Sequence, residues 1–382
     1  MTDAQTASQT EAASRIADAA EVAAELRTLT ADIFRDAQDD QPDTVDRPLD
    51  LQVWATLEET GLARLTGPES AGGSEAGWLE TAAVLGEAAA AGTPLPLLEH
   101  DLLAGWLRDT AGLPAEAPAG TDSTGTWASG GTPTSGAGAP ATGPALSTAA
   151  EVVAPARAVT VPWVPAAASV VVLDSSGSTP QVYEIAVADL AVEEREAVGG
   201  EPQAVVVLPT AVDGAVDVSA EVAQEFHYRG ALGRAVQIAG AAEAISQLCV
   251  EHVTTRVQFG RPIGKFQAVQ QLVTDVASEA ALTRTIVDRA VLTVAERGMQ
   301  DPGARFLVAA AKACAGGAAE VVVRNAHQIH GAIGTTLEHP IQRLTRPIVG
   351  WRREFGSTAE WEARLEAYVV EEGADLWELI TT

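Results

Sequence analysis

Apolar and polar positions sort this chain into three stretches. Residues 11–37 hold Ala, Leu, Glu and Arg with no Gly or Pro, the composition of a long helix. A second helix is predicted over 48–60, stopped by Gly61, and two more over 78–91 and 95–108, after the loop LTGPESAGGS at 65–74. Between 113 and 148 the chain is almost entirely Pro, Ala, Gly, Ser and Thr, which predicts loop or weak strand with long turns. β-Branched runs follow: AVTVPWV (158–164), SVVVLD (169–174), QVYEIAV (181–187) and AVVVLP (204–209), separated by turn clusters such as SSGSTP. Helical sequence returns near Ser219 and persists. Within 266–294, Phe266, Val269, Val273, Val276 and Ala280 form one apolar stripe at three- and four-residue spacing. That helix is predicted to stop near Gly298, with Pro302-Gly303 as a turn and another helix over 304–328. The order is helical, then β, then a bundle of long antiparallel helices. This is an α+β chain with domains expected over 1–112, 113–214 and 215–382.

Composition narrows the function classes. The chain has 382 residues, 47% of them apolar, enough for more than one core. Its net charge of −28 repels phosphate backbones and argues against nucleic-acid binding. No uninterrupted apolar run approaches the roughly 20 residues of a membrane span, and the acidic N-terminus has no apolar core of a signal peptide. The expectation is a cytoplasmic protein without a membrane partner. Cys249 and Cys314 are too few for a disulfide framework and read as buried free thiols. Of the 24 basic residues only Lys265 and Lys312 are lysines. Four arginines, Arg343, Arg346, Arg352 and Arg353, fall close together and are either a receiver for an anionic group or a solvated helix face. No metal site is expected from these spacings.

Two segments carry chemistry. In TTRVQFGRPIGKFQAVQ (254–270), Arg256, Gln258, Phe259 and Gly260 interrupt helical sequence, Pro262 can start the next helix, and Phe266 and Gln267 fall in its first turns. Exposed amides at such a break suit an anion, and Arg256 can add a bidentate phosphate contact. A plain helix–turn–helix corner is the competing reading. In NAHQIHGAIGTTLEHPIQRLTR (325–346), Gln328, Gly331 and Gly334 are spaced by three; glycines there let backbone approach a ligand, or simply cap the helix.

Together these residues resemble the acyl-CoA dehydrogenase family. The family's Arg-x-x-Phe-Gly-x-x-Ile…Phe-Gln segment is matched by Arg256, Phe259, Gly260, Ile263, Phe266 and Gln267. Its Gln-x-x-Gly-Gly-x-Gly segment is matched by Gln328, Gly331, Ala332 and Gly334, with Ala332 in place of the second glycine. PESAGGSEAGWLETAAVLGE (68–87) looks like its Pro-Glu-x-x-Gly-Gly stretch, and the α–β–α order also matches. The resemblance implies an acyl-CoA dehydrogenase-like fold and a homo- or heterotetramer built on the C-terminal bundle. It also implies FAD bound across a subunit interface, an acyl-CoA substrate, and an electron-transfer flavoprotein as acceptor. Arg256 and Phe259 of one subunit would meet the FAD of its neighbour, with Gln328 and Gly331 on the adenosine–pyrophosphate side; Gln258, Phe266, Gln267 and Gly334 are the further cofactor-binding candidates.

The chain departs from the family in two places. The family's Thr-Glu-Pro…Gly-Ser-Asp flavin segment is not visible in the Gly/Ala/Ser/Thr-rich region, and Trp163 either replaces the family's Trp-x-Ile-Thr strand or packs in the core. The other departure lies in WRREFGST (351–358). The family's Tyr-Glu-Gly-Thr carries the glutamate that removes the α-proton of the thioester. Counted from Gly334 without gaps, that glutamate falls on Phe355, followed by Gly356 and Ser357, while Glu354 stands one residue upstream. Some family members carry the base on the helix before the Arg-x-x-Phe-Gly break, near Gly230 here, with Glu225 and His227 close but out of register. Three readings remain open. The first is a dehydrogenase forming a 2-enoyl-CoA with a relocated base, for which Glu354 is the catalytic candidate and Glu225 and His227 the alternatives. The substrate oxyanion would then rest on a backbone N–H near Phe355 and a flavin ribityl hydroxyl. The second is a base-less partner subunit of a heterotetrameric enzyme, as in assemblies acting on steroid-like CoA esters. The third is a CoA-ester-binding protein without redox chemistry.

Overall fold

The first 36-residue helix, α1 (Asp3–Gln38), contains no Gly or Pro, which is why nothing interrupts it. The computed structural model describes residues 3–38, 44–114, 146–153, 157–210 and 212–372. Helix α2 (Leu51–Glu59) starts where the Asp50 carboxylate accepts the Val53 N–H at 3.0 Å. Helix α3 (Trp78–Ala91) starts at Gly77, whose N–H donates to Glu80, and ends at Gly92 in the left-handed region. The predicted helix over 95–108 differs in kind. It is a π-helical segment, Leu98–Gly105, followed by α4 (Trp106–Ala111). The wider turn lets three consecutive polar residues, Glu99, His100 and Asp101, all be buried. Asp101 accepts from the Thr66 N–H and hydroxyl and from Arg64, partners more than thirty residues away.

Two sheets make the middle layer. One has the order β1 (Ser147–Val152), β3 (Ser169–Asp174), β4 (Gln181–Ala186) and β7 (Val216–Asp217), with β1 parallel to β3. The other has the order β2 (Ala158–Pro162), β6 (Gln203–Val207) and β5 (Val192–Arg195). Side chains alternate across β3: Val170 and Val172 pack with Val161 and Val206 in the small core of this layer. Val171 and Leu173 instead join the main helical core. Strand β1 falls at the edge of the region that the sequence reads as loop; Ala149 and Ala150 carry little β-propensity, and pairing with β3 decides it. Trp163, 1% exposed, packs in the core beside β2. The family's Thr-Glu-Pro…Gly-Ser-Asp position falls on residues 115–145, outside the described residues.

The bundle is built around α5 (Ala220–Thr255), packed against α3, α6 (Gln267–Arg297) and α7 (Pro302–His330). From Gly230 to Ala242 every residue of α5 is buried, so this helix is enclosed on all sides. In α6, Val276 and Ala280 of the expected stripe are buried and Val269 and Val273 pack against the core. Helix α7 begins at Pro302 rather than after it: Asp301 caps the N-terminus through the Ala304 N–H at 2.9 Å, and Pro302 fits the first helical position because it needs no N–H partner there. By length and composition, 302–335 is one stretch apolar enough to cross a membrane; half of its most apolar window is buried in the bundle. Helices α8 (Ile341–Trp351) and α9 (Thr358–Glu372) complete it. Cys249 is buried and Cys314 half-buried, both free.

Candidate functional site

Helices α5 and α7 end at the same rim of the bundle, where His252 of α5 and His330 of α7 lie 4.4 Å apart between ring centroids. The two sequence motifs leave from these ends, so the fold brings them together. After α5, the backbone forms a hairpin, β8 (Val257–Gln258) and β9 (Arg261–Pro262), rather than running into a new helix at Pro262. Phe259 and Gly260 make its two-residue turn with φ of +53° and +77°. Left-handed backbone at both turn residues matches the twist of a tight hairpin, and only Gly260 adopts it without strain. Phe266 is the residue before α6, with Gln267 its first; the helix starts later than the proline suggests because the hairpin occupies that stretch.

The hairpin holds Phe259 90% exposed, supported only edge-on by Phe266 at 5.9 Å. Phe266 is in turn covered by the Arg261 guanidinium at 4.2 Å. Arg256, Gln258, Gln267 and Gln328 are exposed on this rim. Gly331 has φ +63°, and a Cβ built on it meets nothing within 4 Å, while Gly334 is buried against His330. A strained, exposed aromatic and an unpacked glycine turn are poor for a monomer and suited to a planar, phosphate-bearing ligand. The residues on this rim fit FAD; Trp163 of the middle layer is enclosed in the core and offers no face to it.

The second centre lies around Phe355. Helix α8 ends at Trp351, and the following turn places Phe355 at φ +54° and Gly356 at +101°. Phe355 lies directly on Gly230: a Cβ there would come within 2.3, 2.4 and 2.5 Å of three ring carbons. Phe226 and His227 meet the same ring edge-on at 6.1 and 6.2 Å, and the Phe355 carbonyl accepts the Trp361 indole N–H at 2.9 Å. Phe355 and Gly230, the positions on which the family resemblance would place a base, are therefore in contact, and neither carries a carboxylate.

Glu354 points elsewhere. Its carboxylate accepts Arg234 Nε at 2.8 Å and Nη2 at 2.6 Å. The partner is thus Arg234, rather than either of its neighbours Arg352 and Arg353. Gly230, under Phe355, and Arg234, which holds Glu354, are one turn apart on α5, about 6 Å along its axis. A base has to come within about 3 Å of its proton. Arg234 is 2% exposed and also holds Glu99, Gln237 (2.6 Å) and the face of Trp351. Burial opposes its charge, yet Glu354, Glu99 and Glu201 outweigh that and hold the guanidinium above its ordinary range. Glu201, which accepts the Trp351 indole N–H, is pushed up to about 7 by burial against the pull of Arg47 and Arg234. Lys312 donates to the Trp351 and Arg352 carbonyls, and burial lowers its ammonium to about 7. This charged clasp joins the π-helical segment, the middle layer and the bundle. Sequence reasoning missed it; its one visible signal was Arg234, a lone charge inside the apolar run GALGRAVQIAG.

The other candidates are equally constrained. Glu225 spends both oxygens, on Arg229 at 2.9 Å and Gln300 at 2.6 Å. His227 stacks on Trp361 at 5.5 Å and lines a cavity of about 690 Å³ with Tyr228, Arg305 and Arg364. Burial, reinforced by Arg364, lowers its imidazole to about 4. The four clustered arginines separate: Arg343 and Arg346 line a cavity of about 540 Å³ with Arg47 and three aspartates, and Arg352 pairs with Glu320 at 3.4 Å.

Comparison with known proteins agrees with this architecture. Residues 17–112 match the acyl-CoA dehydrogenase N-terminal domain and residues 220–359 the C-terminal domain of the same family. A probable acyl-CoA dehydrogenase of Mycobacterium tuberculosis, FadE2, is 36% identical over 124 residues, 32% of this chain and 29% of that protein. The acyl-CoA dehydrogenase IpdE2 of Mycolicibacterium smegmatis is 35% identical over 139 residues, 36% of this chain and 42% of that one. The chain thus aligns with less than half the length of these curated relatives. In three dimensions it is similar to the ChsE4–ChsE5 complex of Mycobacterium tuberculosis, with TM-score 0.73 and 24% identity over 92% of this chain and 98% of that one. With both terminal domain models taking in well over half of its residues, the chain belongs to the acyl-CoA dehydrogenase family.

Proposed function

We propose that this chain is the base-less subunit of a heteromeric, FAD-dependent acyl-CoA dehydrogenase, in which a second family member supplies the catalytic carboxylate. The observation that carries this reading is the seating of Phe355 on Gly230, which fills both base positions with hydrocarbon. The neighbouring carboxylate in sequence, Glu354, is committed to Arg234, and Glu225 to Arg229 and Gln300. His227 meets the Phe355 ring edge-on and is stacked on Trp361, so its imidazole is packed between two aromatic rings. Bound FAD supplies the hydride acceptor for oxidation of an acyl-CoA thioester to the 2-enoyl-CoA. Arg256, Gln258, Phe259, Phe266, Gln267, Gln328, Gly331 and Gly334 are the residues that would hold it, on a rim turned toward a neighbouring subunit. That a protein of this fold occurs as a complex of two differently named chains is consistent with a heteromer. The acceptor of the assembly is proposed to be an electron-transfer flavoprotein.

The test is co-expression with a family member that carries an intact Tyr-Glu-Gly-Thr segment. The expected outcome is a colourless chain alone and a yellow, active heterotetramer with the partner. A yellow homotetramer that bleaches on adding acyl-CoA would instead support a dehydrogenase with a relocated base.

A further inference from the structure

The rim also carries a feature that the family reading does not use. Half of the chain's six histidines, His252, His330 and His339, converge so that one ring nitrogen from each lies within 4.8 Å of the others. They come from three elements: the last turn of α5, the last residue of α7, and the loop before α8. Ring centroids are 4.4 Å (His252–His330), 4.7 Å (His330–His339) and 6.5 Å (His252–His339) apart.

His330 is the informative member. It is 5% exposed, and its Nδ1 lies 2.8 Å from the Ala326 carbonyl oxygen. A carbonyl only accepts, so Nδ1 carries the proton and Nε2 of the neutral ring presents a lone pair. That Nε2 is buried without a hydrogen-bond partner. The Leu248 backbone also faces this ring and would accept from the alternative Nε2–H tautomer, but no hydrogen bond joins it to Nε2. A backbone carbonyl fixing one nitrogen while the other stays bare is the arrangement that orients metal-ligating histidines. His252 and His330 also sit at the C-terminal ends of two helices, whose dipoles favour a cation between them. Two features oppose it. Arg256 lies close enough to act on His252, and His339 Nδ1 accepts a long 3.2 Å bond from the Ile341 N–H, which ligation would displace.

We propose that His252, His330 and His339 form a binding site for a first-row divalent cation of the zinc class, with water in the open fourth position. Three neutral imidazoles suit Zn²⁺ or Co²⁺, and ligation at about 2 Å needs the side chains to close by roughly an ångström. The ion ties the glycine turn after α7 to the end of α5, so it stiffens the rim on which the two sequence motifs lie. The proposal rests on these side chains alone and stands or falls independently of the enzymatic reading.

The test is a Co²⁺ titration of the full chain, produced without a histidine tag and stripped with EDTA. The expected result is one Co²⁺ per chain with the visible absorption of a four-coordinate ion, displaced by Zn²⁺, and a higher Tm with either metal. His252→Gln and His339→Gln, both half-buried and so replaceable with the fold retained by circular dichroism, lose more than about 100-fold in affinity. His327→Gln, whose parent ring is bonded to Thr345 at 3.1 Å, binds as the parent does. Absence of the four-coordinate spectrum, or the same spectrum and stoichiometry in His252→Gln and His339→Gln, overturns the proposal.

Discussion

Gly230→Ala tests the contact between the two base positions by the sign of its effect. In an open helix interior, Gly→Ala stabilises by about 1 kcal/mol. Here the new Cβ would stand 2.3–2.5 Å from three carbons of Phe355, where ordinary contact begins near 3.4 Å. The ring has to move by about an ångström, and overpacking of that kind costs about 1–3 kcal/mol. Phe355 is half-buried, but its left-handed backbone and the Trp361 bond to its carbonyl limit how it can yield. The net expectation is a loss of about 1 kcal/mol, read as a Tm lower by about 2–4 °C for a domain of this size. With Phe355→Ala as the background the obstacle is gone, and the same Gly230→Ala change becomes stabilising by about 1 kcal/mol. The coupling energy in the double-mutant cycle is then about 2 kcal/mol. Thermal and urea unfolding of the four proteins measure it. A stabilising Gly230→Ala in the parent, or effects that simply add, would refute the packing of Phe355 on Gly230.

Three further outcomes follow from the same structure. Arg234→Met leaves the buried Glu99 without its guanidinium and should cost about 3–5 kcal/mol in urea unfolding, whereas Glu354→Gln, at a carboxylate 38% exposed and solvent-screened, should cost about 1 kcal/mol or less. Lys312 titrates near 7 when folded and near its ordinary 10.5 when unfolded, so the unfolded chain binds more protons between these values. Stability should therefore rise as pH increases from about 7 towards 10.5, and Lys312→Met should lack that rise in a pH series of melts. Phe259→Gly relieves a left-handed, exposed phenylalanine and should leave the melting of the isolated chain unchanged or raised by about 1 kcal/mol. The same change should lower the flavin-to-protein absorbance ratio of the assembled complex.

What could be seen in the sequence was what local pattern determines. The helix over 78–91 and the strand over 169–174 have the bounds expected, because each is closed by its own caps or turns. The hairpin after α5 was hidden because Phe259 adopts a backbone conformation that its own side chain disfavours. Strand β1 was hidden because its alanines and serine owe their conformation to pairing with β3. The two motifs identified the family, and the count from Gly334 put Phe355 at the base position. What distance in sequence concealed was the company each residue keeps. Arg234 meets Glu99 and Glu354 across 135 and 120 residues, so the fate of Glu354 could be settled only by the fold. The histidine triad is likewise assembled from three elements with no shared spacing signal.

Anaerobic addition of acyl-CoA to the isolated chain supplied with FAD, followed by flavin absorbance, addresses the absence of a base most directly. The account predicts no bleaching until a partner subunit with an intact glutamate is added, and the same behaviour in Glu354→Gln. Bleaching of the chain alone, abolished by Glu354→Gln, would contradict it.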